Sequence, residues 1–496
     1  MEQQTAVSIH IEENIERFQQ MFRNCADIKT QSMQLGENGA CKCFLAYIEV
    51  SINNTLIRDA ALGKMIGFLE QSKQGDRNKC LDENAMGIAD ITWYDNVEDA
   101  AQGLLTGDAI LFVDGYNKAL KLADEGYPGM GVGESESEKV VRGSNESFTD
   151  SVKINTALIR KRVRSTRVRV EELKEGVRSH TLVNLVYMDD LVYPGLVDEI
   201  KRRLDKFEID GVLDSGVLEQ LSEEKWYSPF PQFLTTLRPD RASMAIMEGK
   251  VVLLSDNSPV ALVLPADINS FMKTSDDYYN RFEAASFARL LRFVSGFFAM
   301  TLPGLYLALT NFHTQILPTP LLLAFQQERE GMPFPAVFEV ILMELSFELL
   351  REAGVRLPGT MGNTIGIVGG LIIGQAAVEA NLVSPIVVIV VAFTALCSFA
   401  IPSEEFAFSF RILKFAFIVL CAWVGYYGFL LGIFAVLVHL AGLRSFGIAY
   451  LSPFAGAKAY AHTDEKDSIV RFPLRKLTKR PFYVNKYERT KLKQKE

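Results

Sequence analysis

The sequence predicts an α/β cytoplasmic region of two small α/β subdomains, followed by an all-α transmembrane domain. Three observations carry this. Residues 1 to about 285 are polar and mixed in charge. Residues from about 290 to 443 hold four uncharged runs, 293–327, 357–378, 380–403 and 415–443. Residues 458–496 carry 12 Lys/Arg against 5 Asp/Glu. A helix needs roughly 20 apolar residues to cross a hydrocarbon core of about 30 Å, and a soluble core does not hold four such runs in so short a stretch. The mean hydropathy of +0.11 agrees, and a net charge of -8 argues against a general nucleic-acid binder.

The elements follow in order. Residues 43–50 (CFLAYIEV) read as a strand and 54–70 as a helix, and 109–113 (AILFV) as a buried strand. Together they make a first subdomain over 1–127. Residues 128–147 are rich in Gly, Ser and Glu and read as a linker. Its Gly129-x-Gly131-x-Gly133 lacks the preceding strand that a phosphate cradle needs, and acid follows it directly. A second subdomain covers 148–285, with helices near 148–163 and 195–206 and strands near 167–173, 181–187, 250–254 and 260–264. The basic cluster at 160–167 lacks the interleaved aromatic residues of a nucleic-acid surface and points to the acidic linker or to lipid heads.

The transmembrane domain is assigned to 286–443, with spans at about 293–311, 364–382, 386–402 and 415–440. No apolar leader precedes the first span, so the N-terminal region is expected in the cytoplasm. Arg281, Arg289 and Arg292 before the first span, and the basic tail 444–496 after the last, put both termini on the cytoplasmic side. Residues 312–363 would then lie outside. The tail is either solvated or lies on anionic lipid.

Residues 337–350 are too acidic for an ordinary span. They suit an interfacial amphipathic helix, or a re-entrant helix beside a water-filled path. Glu344 and Glu348 share one arc of it, with Glu339 opposite. These three are the candidate acids of an outer mouth. In 364–382, Gly366, Gly370 and Gly374 repeat at the spacing that lets helix backbones approach. The other face carries Val368, Leu371, Gln375 and Glu379, and these are the pore-lining candidates. The competing reading makes this a packed helix with Glu379 at the membrane surface.

The five histidines are scattered, and no H-E-x-x-H, G-x-S-x-G, Walker A or paired C-x2-C motif occurs. Neither an enzyme, a metal nor a cofactor is expected. The six cysteines suggest no disulfide framework.

The stretches EREGMPFPAVFEVILMELSFELLREAGVRLPG (328–359) and IGIVGGLIIGQAAVEANLVSP (365–385) resemble the A subunit of the bacterial spore germinant receptors, the GerA family. So do RGSNESF (142–148), SPFPQ (228–232), DYYNRFEAASFARLLRF (277–293) and LRSFGIAYLSPF (443–454). The resemblance covers about 140–455. It implies a multi-pass protein of the spore inner membrane. Its expected partners are a transporter-like B subunit and a lipoprotein C subunit, and it would oligomerise into a nutrient-gated cation channel. It is shared by a related membrane protein encoded with the dipicolinate-release proteins. Two other readings stand beside it: a secondary solute transporter, against which four unequal spans and no visible repeat argue, and a membrane-anchored signalling scaffold.

Overall fold

The computed structural model describes residues 5–35, 41–50, 91–122, 138, 140–356, 370, 372–455 and 466–492. They fall into two units. The first takes Met1–Glu224, Phe233–Pro265 and Thr478–Glu496, and the second takes Lys225–Gln232 and Ala266–Leu477.

The first unit is built from two five-stranded antiparallel sheets. One orders its strands β1 (Ile28–Leu35), β2 (Cys41–Ile48), β4 (Ala109–Val113), β5 (Ala119–Leu122) and β3 (Ile91–Tyr94). The other runs β6 (Val168–Glu175), β7 (Thr181–Met188), β9 (Val251–Ser255), β10 (Ala261–Leu264) and β8 (Leu234–Thr236). Central strands β4, β9 and β10 are buried at every position, which sequences apolar throughout except for the terminal Ser255 allow.

The strand order is the same in both sheets, and so is one local device. The helix before the first sheet is α1 (Ile11–Met21), and the helix before the second is α3 (Val152–Arg162); α2 (Val97–Thr106) lies between β3 and β4. Asn14 in α1 accepts from Ser8 N at 2.8 Å and donates to Ser8 O at 2.7 Å. Asn155 in α3 does the same with Thr149, at 2.8 and 2.6 Å. Neither helix has a capping side chain of its own. Asp114, just after β4, accepts from Ile11 N, and Asp256, just after β9, accepts from Val152 N. A distant aspartate thus takes over the role of the N-cap in each half.

Further helices of this unit are α4 (Leu196–Leu204), α5 (Ser215–Ser222) and α6 (Pro239–Met247). The expected helix at 54–70 lies outside the described residues, as do 128–137 and 139 of the expected linker. The end of that linker is built into the second half rather than free. Glu138 accepts from Leu237 N, Thr236 Oγ1 and Arg241 Nη1, each at 2.8 Å. Glu146 pairs with Lys161 and Arg162 of α3. Arg160 is fully buried and grips Asp27 at 2.7 and 3.2 Å.

The second unit is helical. Two short helices, α7 (Ile268–Met272) and α8 (Asp276–Tyr279), lead into α9 (Phe282–Asn311). Then come α10 (Thr319–Arg329), α11 (Ala336–Arg356), α12 (372–379), α13 (Pro385–Phe399), α14 (Glu404–Val424) and α15 (Tyr426–Gly442). α9 and α14 run side by side in the same direction. A Cβ on Gly296 would meet the Phe410 ring at 3.7 Å, and one on Gly304 would meet the Phe417 carbonyl at 2.9 Å. α13 runs the opposite way, since Val387 packs with Tyr306 while Phe393 meets Phe298. α11 runs with α13: Val340 joins the Tyr306 cluster, and Phe347 meets Phe399 farther along. α12 and α13 form a hairpin in which Gly374 touches Val388.

This differs from the four expected spans. The run 415–440 is not one helix: α14 ends at Val424, and Gly425 turns the chain back with φ +66. α14 also starts before Lys414, where the uncharged run begins. Residues 337–350 belong to a longer helix that packs along α13 and α14. Among the described residues, two helices are long and apolar enough to cross a membrane, α9 and α14, and α13 and α15 are shorter apolar helices.

Where it is described, the basic tail is anchored at several points, while Arg475, Lys476 and Lys479 are exposed. In the second unit Asp467 accepts from Arg289 at 2.7 Å and from Lys273 at 3.1 Å, and Arg471 is buried. In the first unit Asn485 N donates to Leu191 O at 3.1 Å, Arg480 Nε donates to Met247 O, and Tyr483 and Val484 are buried.

Candidate functional site: a charged layer among apolar helices

Lys414 stands ten residues from either end of α14. A charge at that depth of an apolar helix is costly unless it is paired. Lys414 Nζ donates to Glu344 of α11 at 2.5 Å and to Glu348 at 3.2 Å. Lys414 and Glu344 are both almost fully buried. Arg411, one turn earlier on α14, lies 3.5 Å from Glu348. One turn beyond Glu348 on α11, Arg351 donates to Ser398 of α13 at 2.9 Å and lies 4.2 Å over the Phe399 ring. The i, i+4 acids of α11 thus meet the i, i+3 bases of α14. The match is incomplete: Glu344 Oε1 and Arg411 Nε are buried without a hydrogen-bond partner.

A second buried acid lies nearer the start of α11. Glu339 Oε2 accepts from Ser384 N at 2.9 Å, at the entrance of α13, and Arg329 of α10 is 4.0 Å away. Glu339 Oε1, Tyr306 Oη and Ser384 Oγ are buried and unpartnered there. A carboxylate at a helix N-terminus is favoured by the helix dipole.

The three acids assigned to an outer mouth are placed differently within this chain. Glu339 and Glu344 face protein, not an aqueous opening. Glu348 keeps some exposure. Glu344 is turned inward by Lys414 of α14, whereas Glu339, on the other side of α11, is held by Ser384 N at the entrance of α13. Of the pore-lining candidates, Gln375 and Glu379 are exposed, and Gln375 Nε2 donates to Glu379 Oε1 at 2.9 Å. Val368 and Leu371 lie outside the described residues, as does Gly366 of the packing stripe. Within the chain, Gly370 faces open space and Gly374 touches Val388 at ordinary contact distance. The glycines that do carry close approaches are Gly304, Gly428 and Gly432. A Cβ on Gly432 would meet the Phe417 ring at 2.8 Å. No group of metal-ligating side chains occurs among the described residues.

Sequence reasoning missed Lys414 and Arg411 because they bound an uncharged run and so fell outside the span assigned to it. The signal was present: the Phe-rich stretch 406–410 on their other side continues the apolar helix.

In the first unit a cleft of about 470 Å³ lies among α1, α2 and residues 166–169. Its deepest cation, Arg169, is already bonded to the carbonyls of Met21 and Thr166.

Comparison with known proteins adds the following. The family described as Bacillus/Clostridium GerA spore germination protein matches residues 16–483. The uncharacterized membrane protein YfkQ of Bacillus subtilis (strain 168) is 38% identical over 479 residues, covering 97% of this chain and 92% of its own. Spore germination protein KA of the same organism is 34% identical over 490 residues, covering 99% and 89%. Among solved structures, the N-terminal domain of the A subunit of the Bacillus megaterium spore germinant receptor GerK3 is 26% identical. It covers 52% of this chain and 96% of that one, with a TM-score of 0.41.

Proposed function

This chain belongs to the Bacillus/Clostridium GerA family of spore germination proteins, and from that premise we propose that it serves as the A-type subunit of a nutrient germinant receptor. It sits in the spore inner membrane as a multi-pass protein and oligomerises into a cation channel that nutrient opens. A transporter-like B subunit and a lipoprotein C subunit are its partners, and lipid surrounds the helical unit.

The observation that carries this reading is the charged layer. Lys414 at the midpoint of a membrane-length helix pairs with Glu344 on its neighbour. Buried ionisable groups at such depth mark ion paths in membrane proteins. In the closed state Lys414 neutralises the carboxylates; opening would separate α11 from α14 and free them for cations. The exposed Gln375–Glu379 face, continued through Leu371 and Val368, lines the path in the oligomer, and the open side of Gly370 meets a neighbouring copy.

Reconstitution of the full chain with its B and C partners in planar bilayers tests this. Discrete, cation-selective currents on addition of nutrient are expected. Glu379→Gln should lower the selectivity read from reversal potentials in a salt gradient, with assembly intact. Saturable solute uptake without unitary currents would favour the transporter reading. Germination that survives replacement of all the helices by unrelated spans would favour a scaffold.

A further inference from the structure

Resting on the membrane reading above, we propose that residues Lys225–Ser228 form an interfacial anchor that seats one end of the helical unit in the headgroup region of a phospholipid leaflet. This segment precedes the first membrane-length helix by more than fifty residues of sequence, yet it belongs to the helical unit. Trp226 is 81% exposed and Tyr227 62%, and their rings meet edge to face at 6.0 Å. Single exposed apolar residues are ordinary, but contiguous exposed apolar patches mark interaction or membrane surfaces.

This turn is held at three points. Lys225 Nζ donates to the Gly442 carbonyl at the end of α15, at 2.7 Å. Ser228 Oγ and His439 Nε2 share a hydrogen bond of 2.8 Å. Phe230 is buried against Phe406 and Phe410 of α14. The exposed pair is therefore fixed beside the last turn of α15. It extends an apolar face of that helix which is itself exposed at Phe434, Leu437 and Val438. Exposed Arg444 follows one turn on.

The opposite end of the unit carries the matching pair. Trp423 is 81% exposed and Tyr427 67%, on either side of the Gly425 turn. From Phe406, which packs on Phe230 just after the turn, to Trp423 is about 26 Å of helix. That lies close to the roughly 30 Å hydrocarbon core, and the small shortfall is within what a bilayer accommodates. Trp and Tyr gather at both membrane boundaries because their rings are apolar and their N–H and O–H groups need water. Two Trp–Tyr tiers at this separation mark the two boundaries, and the 225–228 turn supplies one of them.

The chain has three tryptophans, Trp93, Trp226 and Trp423, so each tier can be read separately. The full chain is reconstituted in phosphatidylcholine–phosphatidylglycerol vesicles with brominated acyl chains. One variant retains Trp226 (Trp93→Phe, Trp423→Phe) and the other retains Trp423 (Trp93→Phe, Trp226→Phe). In both, bromine near the carbonyl end of the acyl chain should quench about twofold more than bromine near the methyl end, as boundary residues require. If Trp423 is quenched by bromolipid while Trp226 answers only to aqueous acrylamide, the anchor is overturned and the membrane reading stands. If Trp226 is quenched most by bromine at the methyl end, it lies in the core and the anchor is likewise overturned. If neither tryptophan senses bromine, the membrane reading itself falls. An environment-sensitive dye on Tyr227→Cys gives a second reading should Trp93→Phe disturb folding: blue-shifted emission on reconstitution is expected, and a water-like spectrum overturns the anchor.

Discussion

The two sheets of the N-terminal unit share one strand order and one Asn–Asp device, yet they are not equivalent. Arg160 closes α3, and the residue in the matching place on α1 is Gln19, which is exposed. Arg160 instead reaches across to Asp27, just before β1 of the first half. The shared features build each half; the unshared one joins the halves. A duplicated arrangement acquires direction when one copy keeps a charge that the other lacks. The same logic separates Arg160 from Lys414. Arg160 has a carboxylate gripping two of its nitrogens and the Ser165 carbonyl besides. The Lys414 layer leaves a carboxylate oxygen and an arginine nitrogen unmatched. A fully matched buried network stiffens a core, and a partly matched one is held less firmly.

The largest expected effect tests the joining contact. Arg160→Ala leaves Asp27 buried and unpaired, and should cost about 3–5 kcal/mol. Urea unfolding of the purified chain, followed by amide exchange in the two sheets, reads this. A change below about 1 kcal/mol would reduce the contact to an ordinary surface pair.

Next come the matched asparagines. Asn155→Ala and Asn14→Ala each remove both backbone hydrogen bonds that hold a part-buried segment, for about 1–3 kcal/mol. The comparison predicts similar losses in the two halves. A loss in one half only would show that the shared geometry conceals different energetics. Asp114→Ala and Asp256→Ala should each cost about 0.5–2 kcal/mol, as lost caps do, with faster amide exchange confined to the first turns of α1 and α3.

The acid range sharpens the contrast with the helical unit. Burial alone would raise the Asp467 carboxyl, but Lys273 and Arg289 outweigh it and hold it well below the usual range. Burial likewise opposes Asp277, which Arg292 and Arg289 hold low. Groups depressed in the folded state stabilise above the unfolded carboxylate value of about 3.9, and the benefit is lost as pH falls through the folded values. Stability around the 466–477 segment should therefore persist to about pH 4 and fail below it. Asp467→Asn should flatten that loss in a proteolysis assay run across the range. An unaltered pH profile in this variant would place the acid sensitivity elsewhere.

The smallest effect is expected at Gly370, set against Gly304. Gly304→Leu forces α9 from α14 and should cost about 1–3 kcal/mol, whereas Gly370→Leu should change the stability of the single chain by less than about 0.5 kcal/mol. Thermal unfolding at low concentration separates the two.

Much of the first unit was readable in the sequence. The unbroken run Ala109–Val113 and the largely apolar run Thr181–Met188 appear as strands where expected. β1, IKTQSMQL, was not readable, since polar residues fill an edge strand whose pairing with β2 is set by backbone hydrogen bonds. The duplication stayed hidden because it survives in Ser8/Thr149, Asn14/Asn155 and Asp114/Asp256, residues too few and too widely spaced for a visible repeat. In the helical unit the apolar runs revealed helices but not their ends. Lys414 is internal because Glu344 lies opposite, and that pairing joins residues 70 positions apart. A window along the chain cannot register it.

The placement of residues 478–492 has a consequence for biosynthesis. Their Tyr483 and Val484 fill the N-terminal unit, yet the ribosome delivers them after every helix of the second unit has been made. The two sheets can form early, but the surface around Leu191 and Met247 stays uncovered until residues 480–485 have been made. Completion of the N-terminal unit thereby waits for synthesis of the helical unit that precedes this segment in the chain. A chain truncated before residue 478 would leave that surface bare.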